Sequence, residues 1–127
     1  MTMPLSSAKP VTFINTASRA ASEPFYRDVL GLPFVADDGF AAVFDLPGAV
    51  LRITELQDYQ PAPHPALGWM VDDIGATMQA LVDKGVTPTS YEGFGQDALG
   101  IWTAPDGVAK VAWFNDPDGN VLSLTQC

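Results

Sequence analysis

Few side chains in this sequence could act as an acid, a base or a nucleophile at neutral pH. His64 is the only histidine, and Cys127 is the only cysteine. A nucleophile, a base and an orienting group cannot be assembled from these two, which argues against triad chemistry. His64 lies between two prolines. The simpler interpretation is an exposed histidine without a chemical role, and the alternative is a general base. Glu55, close to the end of a predicted strand, is the other candidate base.

Arg52 is the cation with the most informative position. It stands between Leu51 and Ile53 in an alternating segment, so it points to the opposite face from its apolar neighbours. Burying an unpaired guanidinium is costly, so Arg52 must pair with an acid of the protein, reach solvent or bind an anionic ligand. With 15 Asp and Glu residues in the chain, an internal partner is the plain interpretation, and capture of an anion stays open.

The composition favours a single soluble domain and argues against several kinds of partner. The formal net charge of -9 repels nucleic acid and is compatible with a cationic ligand or with an acidic surface that maintains solubility. Apolar runs are far shorter than the roughly 20 residues that span a bilayer, and residues 1–10 contain no apolar signal core. We therefore expect a cytoplasmic protein that binds neither nucleic acid nor membrane.

The first half of the chain predicts one strand, one helix and three more strands. The helix is predicted to begin with Ser22 as its N-cap and to end at Gly31, with Pro24 in its first turn. Alternating and short apolar runs indicate the strands. The predicted strands are residues 11–16, 32–36, 40–46 and 49–56.

The second half repeats this order, which indicates an internal duplication. Asp72 is the predicted N-cap of its helix, and Gly85 is the predicted stop. Its strands are predicted at residues 67–71, 86–91, 99–103, 108–115 and 120–126. The resulting division is a leader at residues 1–9, module one at 10–56, a proline-rich linker at 57–65 and module two at 66–127.

Three segments carry a resemblance to a known family. They are FYRDVLGLPF after the first strand, WMVDDI at the start of the second module, and FNDPDGNVLSL near the chain end. In these features the chain resembles the vicinal oxygen chelate superfamily, which includes glyoxalase I, extradiol dioxygenases, fosfomycin-modifying enzymes and bleomycin-binding resistance proteins. The motifs are specific for the fold rather than for a reaction.

The resemblance implies a fold and an assembly. The implied fold is α+β, with two βαβββ modules that form a curved mixed sheet around a concave cavity and with helices on the outer faces. Members of the family often complete their cavities across a twofold interface, so the resemblance also implies a homodimer.

Metal-dependent members of the family hold an ion with four inward-facing side chains, one on the first and one on the last strand of each module. Counting from the shared motifs, the corresponding residues here are Val11, Arg52, Ala66 and Ser123. Of these, only the Ser123 hydroxyl could donate, weakly, and an arginine repels a cation. We therefore expect no metal and no cofactor, and no metal-dependent glyoxalase or dioxygenase activity.

The same alternation predicts the lining of the cavity, a mixture of apolar area and a few hydrogen-bonding groups that is typical of small-molecule pockets. Aromatic rings could stack on a planar ligand, and the candidates are Phe13, Tyr59, Tyr91, Phe94, Trp102 and Trp113. The glycine-rich segment 91–102 is either a mobile lid or a rigid hairpin. The predicted ligand-binding residues are Phe13, Asn15, Arg52, Thr54, Met70, Trp102, Trp113 and Ser123.

Three functional classes are open. The first is a metal-free small-molecule-binding protein, resembling the bleomycin resistance type, that sequesters an antibiotic or an aromatic metabolite. The second is a metal-independent enzyme of the lyase or isomerase type, in which Arg52 orients an anionic substrate and Glu55 or His64 transfers a proton. The third is an oligomeric scaffold or a sensor. The first class is the main hypothesis.

Overall fold

The structure, a computed structural model, describes residues 3–127, which belong to two compact units. The first unit ends at Tyr59, and the second spans Gln60–Cys127. Each unit contains one four-stranded mixed sheet and one α-helix, which confirms the predicted α+β fold of two similar modules. Within residues 3–127, no helix is long and apolar enough to cross a membrane.

The first unit follows the predicted β-α-β-β-β order. Its elements are β1 (Val11–Thr16), α1 (Arg19–Pro24), β2 (Phe34–Asp37), β3 (Ala41–Leu46) and β4 (Ala49–Glu55). The strand order across the sheet is β1-β4-β3-β2. Strands β1 and β4 are parallel and the other pairs are antiparallel, because the chain between β1 and β4 provides the crossover that a parallel pair needs.

The second unit repeats this topology. Its elements are β5 (Pro65–Met70), α2 (Ile74–Asp83), β6 (Trp102–Thr103), β7 (Lys110–Asn115) and β8 (Val121–Gln126). The strand order is β5-β8-β7-β6, with β5 and β8 parallel. The two sheets therefore have the same order and directions of strands, as the duplicated sequence pattern predicts.

The first helix begins earlier than predicted. Ser18, not Ser22, is the N-cap, and its hydroxyl accepts the N–H of Ala21. Ser22 lies inside α1 and is buried. Pro24 ends α1 instead of standing in its first turn, and a π-helical turn, Phe25–Val29, follows. Since proline has no N–H and crowds the preceding turn, the α-helical bond pattern cannot continue through it.

The second helix begins one residue later than predicted. Asp73, not Asp72, is the N-cap, and its carboxylate accepts the N–H of Ala76 at 3.0 Å. A capping side chain bonds an N–H two or three residues ahead, and two adjacent aspartates satisfy this spacing equally well in a sequence. The predicted stop at Gly85 agrees with its φ of +96°.

The strand predicted at residues 86–91 is wrong. This segment forms only an isolated bridge between Pro88 and Phe114, because a proline cannot donate to a continuing ladder. The N–H of Thr89 donates to the carbonyl of Trp113 at 2.8 Å, which ties the segment to β7. The chain from there to β6 is a loop.

Burial alternates along the last strand of each unit. On β4, Leu51 is fully buried whereas the neighbouring Arg52 is 29% exposed in its side chain. On β8, Leu122 and Leu124 are buried and Ser123 between them is partly exposed. Arg52 and Ser123 therefore lie on the face away from the buried core, in agreement with the predicted register.

The turn between β7 and β8 is closed by its own side chains. Asp116 is 5% exposed, and its Oδ1 accepts the N–H groups of Asp118 and Asn120, both at 2.9 Å. Its Oδ2 accepts the side-chain amide of Asn120 at 2.8 Å. The turn aligns β7 with β8 and so sets Trp113 opposite Ser123.

Candidate functional site

Four aromatic rings in the second unit form a continuous group, called here the aromatic cluster. The centroid of the Trp113 ring lies 5.2 Å from that of Tyr91 and 5.8 Å from that of Phe94, in both cases edge to face. The Phe94 centroid also lies 5.5 Å from that of Tyr91 and 6.5 Å from that of Trp102. Because Phe94 is 47% exposed, the cluster presents aromatic surface to solvent.

Strand register places two of these rings on one face of the sheet. Trp102 pairs with Val111, which stands two residues before Trp113 on β7, so all three side chains point the same way. Ala112 between them is fully buried on the opposite face. Trp113 pairs with Ser123, so the predicted ligand-binding residue of β8 lies beside the cluster.

The other two rings come from the loop between α2 and β6, which side-chain hydrogen bonds hold in place. The amide of Gln96 bonds to three backbone groups of this loop. The Asp97 carboxylate accepts the N–H groups of Leu99 and Ile101, each at 2.9 Å. Of the two alternatives predicted for this segment, a rigid hairpin and a mobile lid, these contacts favour the ordered one. Gln96 was not among the predicted site residues, and a lone amide side chain in a run of glycines is the signal that could have identified it.

Small residues lie beside Trp113 on the same face. Gly68 pairs with Ser123, and a Cβ atom at Gly68 would lie 2.5 Å from the Ser123 hydroxyl. A side chain at this position would displace that hydroxyl. Met70, two residues further along β5, is 79% exposed. The predicted residues Met70, Trp102, Trp113 and Ser123 thus share one face of the second sheet.

The other four predicted ligand-binding residues lie together on the equivalent face of the first sheet. Phe13 pairs with Arg52, and Asn15 pairs with Thr54, across the parallel strands β1 and β4. Phe13 is 61% exposed, which is high for a large apolar side chain. This face offers an exposed ring beside polar groups, and its role in ligand binding stays a prediction.

Arg52 has an acidic partner within the first unit. Its Nη2 lies 2.8 Å from Oδ2 of Asp38, and Oδ1 of Asp38 accepts the N–H groups of Phe40 and Ala41, each at 2.9 Å. The two backbone bonds, followed by Arg52, lower the pKa of Asp38 from its ordinary 3.8 to about 2. Of the interpretations that the sequence left open for Arg52, the internal acid is the one this geometry supports.

Replacing Asp38 with asparagine is expected to lower stability at neutral pH and to have little effect in strong acid. The pKa of Asp38 is depressed in the folded chain, so its stabilising contribution is complete above its ordinary 3.8 and is lost as the pH falls through about 2. Urea unfolding of both proteins at several pH values measures the difference. Asp58→Asn, at an exposed turn, is the control. A difference between wild type and Asp38→Asn that stays constant over this pH range would contradict the assignment.

The two candidate bases have different surroundings. The carboxylate of Glu55 accepts the N–H of Arg19 at 2.8 Å, at the start of α1, where free N–H groups favour an acid. Glu55 therefore has a structural role at the start of α1. His64 is exposed and directly precedes β5. Proton transfer by either residue stays a prediction.

The residues at the implied metal positions do not fit a divalent ion. Val11 and Ala66 carry no donor atom, Arg52 is a cation paired with Asp38, and Ser123 offers one neutral hydroxyl. In the part of the chain that the structure describes, no three His, Cys, Asp or Glu side chains are grouped so as to hold a metal.

A groove of about 480 Å³ lies elsewhere in the second unit, beside the N-terminus of α2. Lys110 and several acids line it, including Asp73 and Asp97. None of the eight predicted ligand-binding residues contributes to it. Asp73 and Asp97 already accept backbone N–H groups, so their role beside this groove is structural.

The repeated topology defines a class of two-module α+β proteins in which each module carries one four-stranded mixed sheet and one α-helix. The family model described as the Glyoxalase/Bleomycin resistance protein/Dioxygenase superfamily matches residues 10–124. The chain belongs to this superfamily. A search of curated proteins found no match.

Solved structures share the fold. A lactoylglutathione lyase from Agrobacterium tumefaciens is 19% identical, with a TM-score of 0.71 over 94% of this chain and 93% of that chain. A superfamily member from Sphaerobacter thermophilus is 21% identical, with a TM-score of 0.71 over 93% and 95% of the two chains. An integron cassette protein from V. cholerae is 21% identical, with a TM-score of 0.65 over 94% of each. At these identities the likeness shows the fold alone.

Proposed function

We propose that this chain binds a planar, aromatic, positively charged small molecule on the aromatic cluster without using a divalent metal. The observation that carries the proposal is the cluster of four contacting rings, Tyr91, Phe94, Trp102 and Trp113, in which Phe94 is 47% exposed. Each well-placed ring contact adds roughly 1 kcal/mol beyond the burial of apolar area. Rings that served the core alone would be covered.

The charge of the second unit favours a cation as ligand. Residues 60–127 contain eight acidic residues and two lysines, which give a net charge of -6 with His64 neutral. Aromatic faces attract cations, and an acidic surface raises the local concentration of cations. Arg52 no longer argues for an anion, because Asp38 already compensates its charge at 2.8 Å.

The metal-independent enzyme is the weaker alternative. The charge of Arg52 is already compensated by Asp38, and the candidate base Glu55 already accepts the N–H of Arg19. Phe94, by contrast, is 47% exposed and is therefore accessible to a ligand. Sequestration of an antibiotic or an aromatic metabolite, in a homodimer in the cytoplasm, belongs to the same proposal.

The proposal predicts selective binding of aromatic cations. Thioflavin T, a flat aromatic cation, and anilinonaphthalene sulfonate, an aromatic anion, are matched probes for a thermal-shift measurement. Saturating thioflavin T at a hundred times its Kd should add about 2.7 kcal/mol of stability and quench the tryptophan fluorescence. The sulfonate should have a much smaller effect. Equal stabilisation by both probes would contradict the charge argument, and stabilisation by neither would contradict the proposed site.

A further inference from the structure

We infer that Gln96 is the positioning residue of the aromatic cluster: its amide holds the loop rings against the strand rings. The inference rests on the proposed function for its consequence in ligand binding. Its structural part, the order of the rings, stands independently of any ligand.

The amide of Gln96 joins both ends of the loop. The N–H of Tyr91 donates to its Oε1 at 2.6 Å. Its Nε2 donates to the carbonyl of Thr89 at 2.9 Å and to the carbonyl of Gly100 at 2.7 Å. One side chain therefore closes a loop of twelve residues from Thr89 to Gly100 by bonding groups at its start and its end.

These bonds lead directly to the cluster. Tyr91, whose N–H bonds to Gln96, packs edge to face on Trp113 at 5.2 Å. Thr89, whose carbonyl accepts from Gln96, donates its N–H to the carbonyl of Trp113 at 2.8 Å. The Gln96 amide is thus connected to Trp113 through two short routes, one through a ring and one through the backbone.

The loop needs such a side chain because its backbone has little intrinsic order. Gly93, Gly95 and Gly100 all have positive φ, at +84°, +66° and +77°. Glycine loses more conformational freedom on ordering than any other residue. Trp102 and Trp113 are held by strands, whereas the ring positions of the loop depend on its side-chain bonds.

Glutamine is the residue type that this place requires. The three partners are one donor and two acceptors, so the side chain must accept one bond and donate two. An amide does both, a carboxylate only accepts, and a thioether of the same length does neither usefully. A purely space-filling role would be satisfied by methionine.

The variant Gln96→Met therefore separates positioning from packing. The near-UV circular dichroism of the full chain reports the order of the aromatic rings without any ligand, and a thioflavin T titration reports binding. Gln79→Met is the matched control, because the Gln79 amide makes one exposed bond, to Asp83 on α2. Because the loop rings lose their fixed positions, ordering them on binding costs free energy, and we expect at least about a fivefold rise in the Kd for thioflavin T.

The two readouts distinguish the possible failures. A near-UV signal that drops by about half in Gln96→Met and not in Gln79→Met supports the positioning role. An unchanged near-UV signal overturns it. A lost signal in Gln96→Met combined with no thioflavin T binding by the wild type supports positioning and overturns the proposed function.

Hydrogen exchange of the wild-type chain covers the case in which Gln96→Met does not fold. The amide of Tyr91 has Gln96 Oε1 as its acceptor at 2.6 Å. Its exchange should be at least about tenfold slower than that of an unstructured tyrosine, since it exchanges only when the loop opens. Exchange at the unstructured rate overturns the inference.

Discussion

Replacing Trp113 with alanine is expected to raise the Kd for thioflavin T by about tenfold or more. Trp113 contacts both Tyr91 and Phe94, at 5.2 Å and 5.8 Å between centroids, so its loss removes a large strand-held ring from the proposed binding surface. Large buried aromatic residues commonly contribute about 2 kcal/mol or more at binding sites, which is more than a tenfold change in Kd. A fluorescence titration of the folded variant, checked by far-UV circular dichroism, measures the effect.

Two further tryptophan variants serve as controls. Trp69 on β5 pairs with the buried Leu124 on β8 and so belongs to the other face of the sheet. Trp69→Phe should leave the Kd nearly unchanged, and Trp113→Phe, which keeps a ring, should lose less than Trp113→Ala. If Trp69→Phe weakened binding as much as Trp113→Ala, the ligand would not lie on the aromatic cluster.

Replacing Asp116 with alanine is expected to destabilise the chain by about 3 kcal/mol, because a buried acceptor with three donors is removed. The N–H groups of Asp118 and Asn120 and the amide of Asn120 all donate to this carboxylate. Asn120 is 2% exposed, so its donors have no access to water as a replacement. Urea denaturation followed by far-UV circular dichroism gives the free energy of unfolding.

Asp106→Ala is the matched control for this turn. Asp106 also accepts a backbone N–H in a tight turn, that of Val108 at 2.9 Å, but both residues are exposed. Its replacement should change the free energy of unfolding by no more than about 0.5 kcal/mol. Equal losses in the two variants would show that burial of the Asp116 carboxylate is unimportant.

The duplicated fold could be predicted because each of its signals is local and repeated. The alternation around Arg52 and around Ser123 has a period of two residues. An error of one residue in the register of either strand would have assigned its side chains to the wrong faces of the sheet. Leu51 and Leu122 are fully buried, as that pattern predicts. The motif from Asp116 to Asn120 is equally local, since its hydrogen bonds stay within five residues.

The helix starts could not be predicted to the residue. Ser18 and Ser22 both suit an N-cap, and the choice depends on how α1 meets the end of β4, where Glu55 accepts the N–H of Arg19. That contact spans 36 residues, and nothing in the local sequence indicates it. Asp72 and Asp73 presented the same ambiguity.

The site was predicted in part for a related reason. Trp102 and Trp113 were predicted as aromatic rings that could stack on a ligand, and β6 and β7 hold them on one face of the sheet. The approach of Tyr91 and Phe94 to them depends on the hydrogen bonds of Gln96, which no sequence period describes. The sequence could not identify the partner of Arg52 either, because that contact also depends on the three-dimensional arrangement of the chain. Asp38 is one of 15 acids, and only the turn after β2 brings it within 2.8 Å of the guanidinium.

The central claim is that the aromatic cluster binds an aromatic cation without a metal, and a calorimetric titration of thioflavin T into EDTA-treated protein tests it most directly. The same titration is repeated with Zn²⁺, Ni²⁺ or Mn²⁺ added. Since Val11, Arg52, Ala66 and Ser123 do not form a donor set for these ions, the Kd should stay within about twofold in every case. Binding that is absent in EDTA and restored by one of the metals would contradict the account.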